Sequence, residues 1–151
     1  MKRPPEIFLA MKRFAMGAKN FVVDTNVLVS AFVFKSGNPR EVLERCLATG
    51  KIVTSSDINK ELKATLLAEK FEPFVPKATR ETSLSLFLGL CEMVMPTKKI
   101  TACRDADDNK FLELAIEAKA VCIVTGDPDL LVLNPFESIP IVTPKEFLER
   151  F

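Results

Sequence analysis

The stretch at residues 21–30 constrains the fold most, because a short apolar run ends there in an acid. Phe21, Val22 and Val23 are apolar without alternation, which is typical of a strand buried on both faces of a parallel sheet. Asp24 follows directly, at the carboxyl end of the predicted strand, and open α/β sheets bind their ligands at that edge. Asp is also a favoured helix N-cap, so a capping role for Asp24 is an equal alternative at this point.

Strand and helix patterns alternate along the rest of the chain. Further strands are predicted at residues 51–55, 93–95, 120–125 and 138–142. Helices are predicted at 27–34, 39–49, 57–70, 77–93, 107–119, from 128, and at 144–151. This alternation, in 151 residues of which 48% are hydrophobic, predicts one α/β domain. We expect a three-layer α/β/α sandwich with a central parallel sheet of four to five strands.

Two helix starts and one helix face carry further predictions. Ser56 is predicted to cap the helix at 57–70, and Thr143 to Glu146 forms a capping box with Pro at the first helical position. The helix at 77–93 has an apolar stripe. Core packing is the preferred interpretation of this stripe, and a homodimer face is the alternative. The stripe consists of Leu84, Phe87, Leu88 and Cys91.

Histidine is absent from the chain, which removes the commonest general base and the commonest transition-metal ligand. Ser-His-Asp and Cys-His mechanisms are therefore excluded, and a bound metal would need oxygen ligands, as Mg²⁺ or Mn²⁺ does. The four cysteines form no C-x-x-C pair, which favours reduced thiols in a cytoplasmic protein. No apolar run reaches membrane-spanning length, so no membrane association is expected.

The first 19 residues are basic, with five Lys or Arg against the single acid Glu6. We expect residues 1–19 to be a poorly ordered leader, or upstream codons before a start at Met11 or Met16, and residues 20–151 to form the folded domain. A basic arm that binds nucleic acid is the alternative.

Acids are concentrated where the predicted sheet would bring them together. Glu61 lies one turn into the helix after the second strand, and six of the seven aspartates follow strands or begin the helix before the strand at 120–125. Asp57 is the exception. Strand ends and the helix starts that follow them share one edge of a parallel sheet, so we expect these acids to converge. The six aspartates are Asp24, Asp105, Asp107, Asp108, Asp127 and Asp129.

Such convergence is costly, because two like charges about 4 Å apart repel by roughly 4 kcal/mol at an effective dielectric near 20. We take no Arg or Lys to lie beside these carboxylates in the sequence, and we expect raised pKa values in the metal-free fold for Asp24, Glu61, Asp108 and Asp127. A divalent cation would remove the penalty. A metal site is therefore preferred to independent helix caps, although Asp105, Asp108 and Asp127 are also well placed as caps or first-turn charges.

Carboxylate-held metal ions suit phosphodiester hydrolysis, because the ion lowers the pKa of a bound water and stabilises charge on the phosphoryl oxygens. Four small polar residues are candidates for orienting the water or the carboxylates. Ordinary capping and strand polar groups are an equal alternative for each of them. The four are Thr25, Asn26, Ser30 and Thr125.

The acidic blocks, taken in order, resemble those of PIN domains. Residues 22–31 (VVDTNVLVSA) resemble the opening motif, residues 104–115 (RDADDNKFLELA) the third acidic block and residues 124–131 (VTGDPDLL) the fourth. Glu61, within INKEL at 58–62, falls where the family's second acid follows the second strand. Residues 139–147 (IPIVTPKEF) match the ending of one PIN subgroup. The resemblance covers residues 20–151.

The resemblance implies a ribonuclease that depends on Mg²⁺ or Mn²⁺, on an α/β/α sandwich. By this resemblance Asp24, Glu61, Asp108 and Asp127 would hold the metal and carry catalysis. Asp105 is a contender for the third position. Many bacterial and archaeal PIN domains are toxins of toxin–antitoxin pairs, so the resemblance also implies an RNA substrate and a small antitoxin partner.

Two further interpretations remain open. A PIN domain could serve in RNA processing or as a non-catalytic scaffold. A receiver-type signalling module also has Asp residues at strand ends and binds Mg²⁺, but it needs an acidic pair after the first strand. Here Asp24 is followed by Thr25 and Asn26, and Glu61 and Asp127 would have no role in such a module.

Overall fold

The protein is described by a computed structural model that covers residues 19–151. The predicted leader at 1–18 lies outside the described residues. Lys19, which the sequence pattern assigned to that leader, opens the first strand and pairs with Gly50. The five strands of the described chain are β1 (Lys19–Val23), β2 (Gly50–Thr54), β3 (Glu92–Met93), β4 (Cys122–Val124) and β5 (Ile141–Val142).

Helices connect the strands. In chain order, the seven α-helices of residues 19–151 are α1 (Thr25–Val33), α2 (Asn38–Thr49), α3 (Ser56–Leu66), α4 (Lys77–Leu90), α5 (Asn109–Ala118), α6 (Pro128–Leu131) and α7 (Pro144–Arg150). Short 3₁₀ helices lie at Glu69–Phe71 and Ala106–Asp108. None of the helices in this part of the chain combines the length and apolarity that a membrane crossing requires.

The sheet is wholly parallel, in the order β3-β2-β1-β4-β5. The chain builds outward from β1 through β2 to β3, then returns to the other side of β1 for β4 and β5. The order therefore reverses between β1 and β4, and ligands of open α/β sheets bind outside the carboxyl ends of the strands at such a switch point. The predicted sandwich with a parallel sheet is confirmed.

Hydrophobic cores on the two faces of the sheet hold it between helices. Phe21 and Val23 point to one core, which α1, α2, α4 and α7 cover. Val22 points to the other core, which is filled chiefly by α5 and α6. Because β1 is buried on both faces, its sequence is a continuous apolar run.

Local signals set most helix starts. Thr143 accepts a hydrogen bond from the backbone N–H of Glu146 at 3.1 Å, as the capping box predicts. Ser55, and not the predicted Ser56, caps α3 by accepting from the N–H of Ile58 at 3.3 Å. The helix predicted from Asp107 begins at Asn109, because a 3₁₀ turn capped by Asp105 precedes it.

The apolar stripe of α4 packs into the core, as preferred. Leu84 and Phe87 are buried there, and Leu88 and Cys91 pack against the same cluster. All four cysteines are free, in agreement with the thiols expected from their spacing.

Arg80, on α4, is 1% exposed, which is unusual for a charged side chain. Its guanidinium donates to the backbone carbonyls of Leu66 and Ala68 at 2.8 and 2.9 Å, and to that of Val75 at 2.9 Å. It also pairs with Glu72 at 2.6 Å. One side chain thus joins the end of α3 to the start of α4.

An irregular stretch at residues 94–105, here called the crossing segment, leads from β3 to the 3₁₀ turn Ala106–Asp108, here called the acidic turn, which Asp105 caps. Three side chains on α5, spaced one helical turn apart, accept hydrogen bonds from backbone N–H groups of the crossing segment. These bonds are Thr97 to Glu117 (3.0 Å), Ile100 to Glu113 (3.0 Å) and Cys103 to Asn109 (2.8 Å). These bonds fix the crossing segment along α5. Asp105 is its last residue, and Asp108 lies in the turn that follows it.

Candidate functional site

Asp24 and Asp127 follow the two strands on either side of the switch point, and Thr125 connects them. The Thr125 hydroxyl donates a hydrogen bond to Oδ2 of Asp24. The same hydroxyl oxygen accepts the backbone N–H of Asp127 at 3.0 Å. Oδ1 of Asp24 accepts the N–H of Val27 at 2.9 Å, so Asp24 does cap α1. A cap needs only one carboxylate oxygen, so the capping role does not account for the second.

Asp24 is only 5% exposed. Burial raises the pKa of its carboxyl, and the charge of Asp127 adds to this, while hydrogen bonds from Thr125 and from the backbone oppose it. The raised pKa expected for the clustered acids is therefore present at Asp24. Its main cause is burial rather than repulsion between carboxylates.

Asp108 lies beside Asp127. The pKa of the Asp108 carboxyl is raised to about 7, chiefly by burial, and this value includes the effects of its charged neighbours. Among these neighbours, the Asp127 carboxylate, within hydrogen-bonding reach, and the charge of Asp105 contribute to the rise, while Lys110 opposes it. Oδ2 of Asp108 is buried without a hydrogen-bond partner among residues 19–151. Buried polar atoms nearly always have a partner, so such an atom needs an explanation.

Asp105 differs from Asp108 in its surroundings. It is exposed, and its Oδ1 accepts the N–H of Asp107 at 3.0 Å, so it caps the 3₁₀ turn. Asp127 also caps, because its Oδ1 accepts the N–H of Asp129 at 2.9 Å at the start of α6. Asp24, Asp105 and Asp127 thus each cap a helix or turn, whereas within the described residues Asp108 makes no capping hydrogen bond with its side chain and keeps a buried oxygen without a partner.

Glu61, on α3, is the fourth member of what is here called the acidic cluster, together with Asp24, Asp108 and Asp127. Its Oε2 accepts a hydrogen bond from the Thr25 hydroxyl at 2.5 Å, and its Oε1 lies 3.1 Å from Nζ of Lys110. Lys110 also lies 3.4 Å from Oδ2 of Asp107. The expectation that no basic side chain lies among the carboxylates is therefore wrong. Lys110 follows Asp108 by two residues in the first turn of α5, and this short spacing was a usable signal.

These neighbours change the pKa of Lys110. Burial lowers the pKa of its ammonium, but the hydrogen bond and charge of Glu61 and the charge of Asp107 outweigh burial, so the pKa is raised. The ammonium therefore stays charged and offsets part of the negative charge of the cluster.

The four small polar candidates differ in whether their side chains contact the acids. The hydroxyls of Thr25 and Thr125 each donate to an acid of the cluster. Within residues 19–151, no side-chain hydrogen bond joins Asn26 or Ser30 to these acids, and Asn26 is exposed. Asp57, which the sequence pattern set apart, lines a cleft with Glu61 one turn further along α3.

That cleft has a volume of 620 Å³ and opens beside Glu61. Its walls are α3, the crossing segment and the start of α5. Acidic and basic side chains both line it. They are Asp57, Glu61, Lys99, Asp107, Lys110 and Glu113.

The donor set can be tested against a divalent cation. In the part of the chain that the structure describes, no three Asp, Glu or Cys side chains stand close enough to hold an ion as they lie. The acids instead interact in pairs, since the charge of Asp127 acts on Asp24 and on Asp108. The ammonium of Lys110 forms an ion pair with Glu61. The chemistry of the donor set nevertheless fits a divalent cation, because Oδ2 of Asp108 beside Asp127 has no partner in the described residues and carboxylate oxygens are the ligands that Mg²⁺ and Mn²⁺ prefer.

Comparison with known proteins agrees with this architecture. Residues 20–129 match the family model described as PIN domain. The chain is also 37% identical, over 141 residues, to the uncharacterized protein MJ1680 of Methanocaldococcus jannaschii, with 86% of this chain and 90% of that protein covered.

A solved structure shares the fold. It is the crystal structure of VapBC2 from Rickettsia felis bound to a DNA fragment from their promoter. The TM-score is 0.57, the sequence identity is 18%, and the match covers 82% of this chain and 98% of that chain. At this identity the likeness concerns the fold.

Proposed function

The chain belongs to the PIN domain family, and from this membership we propose that it is a metal-dependent ribonuclease whose active site is the acidic cluster at the switch point. The observation that carries the proposal is the half-buried pair of Asp108 and Asp127, in which Asp108 keeps one buried carboxylate oxygen without a partner among residues 19–151.

Asp24, Glu61, Asp108 and Asp127 would hold Mg²⁺ or Mn²⁺. Asp108 is favoured over Asp105 for the third position, because Asp105 is exposed and its Oδ1 is used by the turn that it caps. When bound, the cation supplies a water of lowered pKa and stabilises charge on the phosphoryl oxygens.

The side chains around these acids would fix their orientation. Thr125 holds Asp24, and Thr25 holds Glu61, each through a hydroxyl hydrogen bond. Groups of this kind determine where a ligand carboxylate points, and their loss typically reduces activity or metal affinity by about 10- to 100-fold. The proposed roles of Asn26 and Ser30 have no such contact in their support.

RNA as the substrate rests on the family resemblance of the acidic blocks. The same resemblance leads us to propose a toxin role, with a small antitoxin encoded beside the gene. An arginine of this partner pairing with the acids is a natural mode of inhibition, because a guanidinium matches a carboxylate in a bidentate way. RNA processing and a non-catalytic role remain the alternatives.

The test is cleavage of single-stranded RNA by the purified full chain in Mn²⁺, in Mg²⁺ and in EDTA. We expect cleavage with either ion and none in EDTA. Asp24→Asn and Asp108→Asn should each reduce cleavage by more than about 100-fold, beyond the usual cost of losing an outer-shell partner. Glu149→Gln, at an exposed acid of α7, is the control and should be silent.

Two outcomes would count against the proposal. Cleavage that persists in EDTA, or in folded Asp24→Asn protein, would exclude the metal-nuclease assignment. Binding of RNA without cleavage in every condition would favour the non-catalytic alternative. For the toxin role, the measurement is growth arrest on overexpression and its relief by the neighbouring small gene.

A further inference from the structure

Lys110 forms an ion pair with Glu61, the acid of the cluster that lies on the helix following β2. Its side chain is 15% exposed, and its Nζ lies 3.1 Å from Oε1 of Glu61. The other oxygen of Glu61 accepts from Thr25. Both oxygens of Glu61 are thus engaged by protein groups, whereas Oδ2 of Asp108 is engaged by none in the described residues.

The backbone directs Lys110 towards Glu61. Lys110 belongs to the first turn of α5, and Asp107, three residues earlier, pairs with the same ammonium at 3.4 Å. A buried ammonium is stable only with anionic partners, and these two acids supply them. The ammonium therefore stands where positive charge is needed next to Glu61.

We propose that Lys110 is a built-in counter-ion for Glu61, which it releases when a divalent cation binds, so that Lys110 and the cation compete for this carboxylate. The inference rests on the proposed function, since it needs the metal site. Lys110 is a positioning residue in this scheme, because it acts through Glu61.

The neighbouring cleft gives the displaced side chain a destination. It has a volume of 620 Å³ beside Glu61, and Asp57 and Glu113 line it together with Lys110. Lysine has four rotatable side-chain bonds, so its ammonium can turn from Glu61 towards these acids while its backbone stays in α5. The exchange needs no movement of the fold.

The experiment is titration of the metal-free full chain with Mn²⁺ by calorimetry, without RNA. Lys110→Met keeps the length of the side chain and removes its charge. We expect it to bind Mn²⁺ at least about fivefold more tightly than the wild type, the lower end of usual coupling between sites. Lys110→Arg should bind more weakly than the wild type, because a guanidinium holds a carboxylate through two bonds.

Lys99→Met is the matched control, because Lys99 lines the same cleft and no ion pair within residues 19–151 joins it to Glu61. It removes the same charge at a similar site, and its affinity should change less than about twofold, as for a screened surface charge. Circular dichroism verifies that each variant folds.

The outcomes separate the two proposals. If the wild type binds Mn²⁺ but Lys110→Met does not bind it more tightly, the competition is wrong and the proposed function stands. Equal tightening in Lys99→Met and Lys110→Met would also overturn it, because the effect would then be general charge. If the wild type binds no Mn²⁺, the proposed function fails, and the inference fails with it.

Discussion

The hydroxyl of Thr125 donates a hydrogen bond to Oδ2 of Asp24, so the end of β4 holds the carboxylate that follows β1. The two residues are 101 positions apart in the chain, and the parallel pairing of β1 with β4 brings them together. Thr125 also accepts the N–H of Asp127. One hydroxyl therefore sets the relation between two of the acids proposed to hold the metal.

Thr125→Val removes that hydroxyl at nearly constant volume. The buried Oδ2 of Asp24 and the N–H of Asp127 would both lose a partner, which we expect to cost about 1–3 kcal/mol in the free energy of unfolding. RNA cleavage should fall by about 10- to 100-fold. Thr125→Ser restores the hydroxyl and should recover most of both quantities. Equal loss in the Ser variant would show that the methyl group, and not the hydrogen bond, matters.

Asp108→Asn tests the pH dependence of the metal-free protein. The pKa of Asp108 is raised to about 7 and that of Asp24 is raised as well, so both carboxyls bind protons more readily in the folded than in the unfolded chain. The stability that this contributes is present below the unfolded pKa near 4 and is lost as the pH rises through about 7. In EDTA, the wild-type melting temperature should be lower at pH 7.5 than at pH 5.5.

In Asp108→Asn the same comparison should give a smaller difference, and the variant should melt above the wild type at pH 7.5, because the amide cannot ionise and can donate towards Asp127. With no histidine in the chain, few other groups titrate in this range. A variant that melts below the wild type at pH 7.5 would contradict the prediction and identify Asp108 as a structural group.

Asn109→Ala tests how the acidic turn is fixed. Asn109 is buried, accepts the N–H of Cys103 and donates to the carbonyl of Ala106. Truncation leaves both backbone groups without that partner and should cost about 1–3 kcal/mol, as measured by urea unfolding. RNA cleavage should fall as well, since Asp105 caps this turn and Asp108 lies within it. Stability loss with unchanged cleavage would show that the turn keeps its shape without Asn109.

Arg80→Lys tests the buried guanidinium. Three backbone carbonyls and Glu72 accept from Arg80, and an ammonium cannot reach all of them from one position. We expect a loss of about 1–3 kcal/mol in the free energy of unfolding. Arg104→Lys, at an exposed arginine without an ion pair among residues 19–151, is the control and should change stability by less than about 1 kcal/mol.

The parts of the fold that depend on local chemistry could be predicted from the sequence. A continuous apolar run predicted β1, and Thr143 with Glu146 predicted the start of α7. The strands proved shorter than their apolar runs, as at Cys122–Val124 within the predicted 120–125, because only the residues that pair with β1 and β5 are in the ladder. The helices predicted to end at 70 and 93 end at Leu66 and Leu90. Arg80 binds the carbonyl of Leu66, and Glu92 already pairs with β2, so long-range contacts accompany both ends.

The site could be predicted as a set of acids but not as an arrangement. Parallel topology implied that Asp24 and Asp127 would meet, and they flank the same hydroxyl. The position of Lys110, two residues after Asp108, indicates a basic side chain near the acids, but its ion pair with Glu61 spans 49 residues, and local spacing does not specify which acid it contacts. The spacing of Asn109, Glu113 and Glu117 marks one face of α5, but the backbone groups that they bind belong to a segment with no regular pattern.

The three hydrogen bonds that fix the crossing segment to α5 have a consequence for its motion. Irregular loops usually exchange their amide hydrogens quickly, because water reaches their N–H groups. Here the amides of Thr97, Ile100 and Cys103 are bonded at intervals of three residues to a helix that is packed in the core. The Cys103 amide, whose bond to Asn109 is buried, should exchange on the timescale of α5 opening. The Ile100 and Thr97 amides should exchange progressively faster, because their bonds to α5 are more exposed, so that the wall of the cleft is most rigid towards the acids.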